Sequence, residues 1–105
     1  MKFALEVEGF HVQLYSGPLA VLADANLPKR ACLVVDYRMP GIDGIELVER
    51  LRSQNVWLPA ILISGRVSQR LRDLAARSGL TRVLEKPLSD ATLVEHIRGA
   101  LGALA

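Results

Sequence analysis

The sequence predicts an α/β fold built on a doubly wound parallel sheet. Three observations predict it: short continuous apolar runs, amphipathic segments between them, and connections only a few residues long. The clearest runs are Ala31–Val35 and Ala60–Ile63, each short enough for a strand covered on both faces. Strand, helix, strand, helix is the order of βαβ units with right-handed crossovers. At 105 residues, half of them hydrophobic and 23% charged, the chain suits a single domain spanning 1–105.

The elements follow in order. A short helical piece around Phe3–Glu8 precedes Phe10–Tyr15, where apolar Phe10, Val12 and Leu14 alternate with His11, Gln13 and Tyr15. That period of two predicts a strand with one lightly covered face. Ser16-Gly17-Pro18 opens a helix to about Asn26, with Pro18 near a first position that needs no N–H. After the strand Ala31–Val35, Asp43 caps the next helix, and Glu46, three residues on, completes a capping box. Leu47, Val48 and Leu51 form its apolar stripe, and Glu46–Arg50 is an i,i+4 pair on its wet side. Ala60–Ile63 is stopped by Ser64-Gly65. Val67, Leu71, Leu74, Ala75 and Ser78 then mark one face of a helix ending at Gly79, a natural C-terminal cap. Thr81–Leu84 is a last short strand before Glu85-Lys86-Pro87. Ser89 opens a final helix carrying Leu93, Val94, Ile97, Leu101 and Leu104.

Composition narrows the function. No apolar stretch approaches the ~20 residues of a membrane span, and Glu6 and Glu8 stand where a secretory signal needs an apolar core, so a cytoplasmic protein without membrane contact is expected. The net charge is +2, and four arginines (Arg66, Arg70, Arg72, Arg77) fall within twelve residues. With 5% aromatic residues and no recognition motif, that cluster reads as a solvated helix face, and no nucleic-acid partner is expected. Cys32 reads as a buried small hydrophobe, Trp57 as a packing plug, His11 as structural on a strand face and His96 as a solvated helix residue.

Ligands of open parallel sheets meet the protein beyond the carboxyl ends of the strands. Three polar residues occupy that edge: Asp36 after Leu33-Val34-Val35, Ser64 after Ile61-Leu62-Ile63, and Lys86 after the last strand. A carboxylate, a hydroxyl and an ammonium on one edge suit phosphate chemistry. The carboxylate can act as nucleophile, the hydroxyl can donate to a phosphoryl oxygen, and the ammonium can balance charge.

The stretch LVVDYRMPGIDGIELVERLR, then ILISG, then Glu85-Lys86-Pro87, resembles the receiver domain of two-component response regulators, and most of all the branch typified by nitrogen-fixation regulators. The resemblance implies a flavodoxin-like sheet of order 2-1-3-4-5. It implies Asp36 as phosphoacceptor, Ser64 as switch hydroxyl, Lys86 as phosphate partner, and the main-chain carbonyl of Arg38 as a metal ligand beside Asp36. It also implies that the first, central strand, ending in a pair of Mg²⁺-holding acidic residues, precedes Met1, so that ~15–20 residues are missing. Glu6 and Glu8 lie on a helix and do not replace that pair. The Mg²⁺ site is therefore expected to be weak or absent. The switch aromatic of the family is replaced by Val83.

Two readings follow: a stand-alone receiver in a phosphorelay with impaired Mg²⁺-dependent phosphotransfer, or a pseudo-receiver serving only as an interaction module. Neither is an enzyme. A sensor histidine kinase or a downstream regulator is the expected partner. A homodimer is also expected, through the strand edges left by the missing strand or through the face bearing Arg70 and Arg77.

Overall fold

The computed structural model describes residues 18–24, 27, 31–38 and 41–102. The expected helix at Phe3–Glu8, the strand at Phe10–Tyr15, His11 and Leu104 lie outside them. Within them the chain runs α1 (Pro18–Ala23), β1 (Leu33–Asp36), α2 (Gly44–Ser53), β2 (Ala60–Ser64), α3 (Gln69–Arg77), β3 (Arg82–Glu85) and α4 (Asp90–Gly102). The three strands form a parallel sheet in the order β1-β2-β3. Leu33 pairs with Ala60 and Asp36 with Ile63, while Ile61 pairs with Arg82 and Ser64 with Glu85. Such an order fits the last three strands of the 2-1-3-4-5 arrangement.

Strand alternation divides the core into two. Val35, Ala60 and Leu62 pack with Val21 of α1, with Ile45, Leu47, Val48 and Leu51 of α2, and with Leu71 and Ala75 of α3. Ile61 and Ile63 pack on the other face with Leu93, Val94 and Ile97 of α4. Helices thus cover both faces, which is why every residue of β2 is buried. The expected burial of β1 on both faces is met only at Val35. The strand begins at Leu33, two residues later than its apolar run, and among the described residues it is hydrogen-bonded on one side only.

Local signals set the helix ends. Asp43 Oδ1 accepts from the Glu46 N–H at 2.8 Å, and Ser68 caps α3 by accepting from the Leu71 N–H at 3.1 Å. The reciprocal half of the expected capping box is replaced, because the Glu46 carboxylate pairs with Arg50 at 2.7 Å. Gly79 has φ +87° and closes α3 as predicted, in a conformation that disfavours a side chain. Leu74, expected on the core face of α3, is 37% exposed.

Three further readings are corrected. Trp57 is no plug: it is 65% exposed, with its ring under the Arg52 guanidinium at 5.4 Å and its indole N–H donating to Asn55 Oδ1 at 2.9 Å. His96 is half-buried, and its Nδ1 lies 3.0 Å from Arg82 Nη1. Cys32 is half-buried rather than buried. Its surroundings still push the thiol up to about 11, since desolvation outweighs the opposing pull of Arg82, so it is protonated and unreactive at neutral pH.

Arg52, which the sequence reading passed over, joins three segments. Its Nη1 donates to the carbonyls of Val56 (3.0 Å) and Leu58 (2.7 Å), and its Nη2 to the carbonyl of Gly79 (2.7 Å). Burial lowers its pKa, though from so high a starting value that it keeps its charge. The end of α2, the strand entry at Leu58 and the end of α3 are thereby tied at the edge opposite Asp36.

Candidate functional site

The carboxyl edge of the sheet assembles Asp36, Ser64 and Lys86 on successive strands. Two backbone hydrogen bonds carry the sheet past its strand ends: Tyr37 N–H donates to the Ile63 carbonyl and Lys86 N–H to the Ser64 carbonyl, both at 2.8 Å. Asp36 closes β1, Ser64 closes β2, and Lys86 directly follows β3. The Lys86–Pro87 peptide is cis.

Asp36 and Lys86 meet directly. Lys86 Nζ stands 2.9 Å from Asp36 Oδ1, with the two side chains about half exposed. That Oδ1 atom is itself buried and has no partner in hydrogen-bond geometry among the described residues, so the contact is one of charge and not of alignment.

Ser64 is buried beside them, and its hydroxyl is engaged within its own loop. It donates to the Arg66 carbonyl at 2.8 Å and accepts from the Arg66 N–H at 3.3 Å. Glu85, its register partner on β3, reaches the same loop, where Oε1 accepts from the Val67 N–H at 2.9 Å. The sequence reading treated Glu85 only as part of a turn. Strand pairing is the signal that could have found it, since register partners share a face.

Gly44 is the second contributor that single-residue reading missed. It opens α2, and its N–H donates to the Tyr37 carbonyl at 2.9 Å. A Cβ built there would stand 2.5 Å from the Asp36 carbonyl oxygen and 2.7 Å from Leu62 Cδ1. Only a hydrogen lets the helix start sit this close to the exit of β1. The Gly44 position within Asp43-Gly44, after a strand-ending aspartate, is where that constraint shows in the sequence.

For a divalent metal the described residues offer the Asp36 carboxylate at this edge. No group of three or more His, Cys, Asp or Glu side chains is assembled among them. Magnesium takes six oxygens in near-ideal octahedral geometry, so this set does not fit a complete protein-held site.

Comparison with known proteins agrees with this architecture. The family model described as the response regulator receiver domain matches residues 1–98. The chain belongs to the response-regulator receiver domain family. It is 36% identical over 106 residues to the transcriptional regulatory protein FixJ of Azorhizobium caulinodans, covering 100% of this chain and 50% of that protein. The solved FixJ-N structure is 32% identical with a TM-score of 0.86, covering 98% of this chain and 82% of its own. The receiver domain of the sensor histidine kinase PA1611 of Pseudomonas aeruginosa, solved with a magnesium ion coordinated in its active-site cleft, shares the fold at 23% identity. Its TM-score is 0.80, over 94% of this chain and 83% of that one. The chain spans about half the length of the FixJ proteins it matches.

Proposed function

We propose that this chain is a phosphoacceptor receiver in a phosphorelay, with Asp36 as the residue modified and with impaired Mg²⁺-dependent phosphotransfer. The observation that carries the reading is the Lys86 ammonium set against the Asp36 carboxylate at the carboxyl edge of the sheet. An Asp36 oxygen attacks the phosphorus of a phosphohistidine on a sensor kinase. The new P–O bond forms as the P–N bond breaks, and the imidazole leaves with the bonding pair. Lys86 then balances charge on the phosphoryl oxygens, and Ser64 donates a hydrogen bond to one of them. Neither residue turns over a substrate, so the chain is read as a signalling module and not an enzyme. Residues 1–105 are read as one domain, acting in the cytoplasm on protein partners: the kinase, and a downstream regulator.

Incubation with acetyl phosphate is expected to add the mass of one phosphoryl group to the intact protein. Calorimetric titration with Mg²⁺ is expected to show no saturation below about 1 mM, because a single fixed carboxylate holds a hard cation poorly. Tight Mg²⁺ binding would mean that further anionic ligands complete the site. The same shortage of ligands favours the second reading, an interaction module without phosphotransfer, which absence of any adduct would establish.

The reading includes self-association, with the exposed Arg70 and Arg77 of α3 as the face that the described residues offer for it. Sedimentation at tens of micromolar is expected to give a homodimer; a monodisperse monomer would refute it.

A further inference from the structure

Ser64 cannot serve a phosphoryl group on Asp36 while its hydroxyl proton is donated to the Arg66 carbonyl, so the loop after β2 must be able to release it. Ser64 and Glu85 are register partners on neighbouring strands, which directs their side chains to the same face of the sheet. From there the Glu85 carboxylate spans to the other end of the loop and accepts the Val67 N–H at 2.9 Å. Val67 immediately precedes Ser68, the cap of α3. The loop Gly65–Ser68 is thus fixed at three points: the Ser64 hydroxyl on Arg66, the Glu85 carboxylate on Val67, and the Ser68 cap on Leu71. Of these, only the Glu85 contact reaches across from the neighbouring strand β3. Val83, two residues earlier on the same face of β3, offers an aliphatic side chain without a polar group.

We infer that Glu85 is a positioning residue for this site: its carboxylate holds the loop after β2 in the arrangement that keeps the Ser64 hydroxyl on Arg66. The inference rests on the phosphoacceptor reading of Asp36 and adds to it a restraint that has to open before Ser64 reaches the phosphoryl oxygens. The contact is exposed, so it is one that a modest competing interaction can displace.

Three variants test it: Glu85→Ala, Glu85→Gln, and Glu85→Ala combined with Ser64→Ala. Amide hydrogen exchange at Val67 is measured by NMR in the unmodified protein, and the rate of phosphoryl uptake from acetyl phosphate by mass spectrometry. In Glu85→Ala the Val67 amide should exchange about fivefold faster, and uptake should quicken by a similar factor, as expected for loss of one exposed hydrogen bond. Glu85→Gln keeps an acceptor oxygen and should stay near the wild type on both measures. The gain in uptake should vanish when Ser64 is alanine, which a general loosening of the loop would not produce. Unchanged Val67 exchange in Glu85→Ala would overturn the positioning role alone. So would a full gain in Glu85→Gln, which would assign the effect to charge, or a gain that persists without Ser64. A wild-type protein that takes up no phosphoryl group, while Val67 exchange responds as expected, would overturn the phosphoacceptor reading and with it the role of Glu85 in serving it.

Discussion

Asp36→Asn is expected to abolish phosphoryl uptake from acetyl phosphate, leaving no adduct on the intact protein under conditions where the wild type is modified. A carboxamide oxygen is a far poorer nucleophile than a carboxylate oxygen, and Glu85, the other acidic residue that ends a described strand at this edge, is engaged with the Val67 N–H. The loss should come without unfolding. Asp36 and Lys86 are about half exposed, and ion pairs of that kind contribute only ~0–1 kcal/mol, so thermal melting should shift by no more than a few degrees. Lys86→Met serves as the companion. It removes the ammonium and keeps the nucleophile, so it should slow uptake without abolishing it. An adduct that persists in Asp36→Asn would place the phosphoryl group elsewhere and remove the ground for reading this edge as the site.

How much of this was legible in the sequence depends on the range of the interaction. Strands and helices whose order rests on local pattern were readable: β2 is apolar from Ala60 to Ile63 and buried throughout, and α2 carries Leu47, Val48 and Leu51 on its core side as its spacing requires. Asp36, Ser64 and Lys86 were readable as a group because the carboxyl ends of parallel strands lie together by topology alone. What a hydroxyl or a carboxylate does once there was not. The Ser64 proton goes to Arg66, and Glu85 goes to Val67 eighteen residues away, and both choices follow from loop geometry and register. Trp57 and His96 failed for a related reason. Each was judged by residue type, whereas each meets an arginine that its type does not announce: Arg52 lies over the Trp57 ring, and Arg82 meets the His96 imidazole.

Gly44→Ala is expected to have the largest effect on stability of any single methyl added at the site, and to impair the site along with it. The added Cβ would sit 2.5 Å from the Asp36 carbonyl oxygen, a main-chain atom fixed in β1, and 2.7 Å from Leu62, which is fully buried in the central strand. The first is main chain and the second a terminal methyl enclosed in the core, so relief requires α2 to move away from the exit of β1. That movement would strain the hydrogen bond from Gly44 N–H to the Tyr37 carbonyl and draw Ile45 and Val48 away from their packing in the core. Overpacking of a filled interior costs about 1–3 kcal/mol, against the ~1 kcal/mol that alanine would gain over glycine in an open helix. The net is a loss of up to about 2 kcal/mol, measurable as a lower denaturation midpoint in urea with an unchanged slope. Because the clash falls on the backbone of Asp36 itself, the carboxylate shifts relative to Lys86, and phosphoryl uptake should fall in protein that is still folded. Alanine tolerated at full stability would show that α2 stands farther from β1 than the Gly44 contact implies, and that the position of Asp36 is set by the sheet alone.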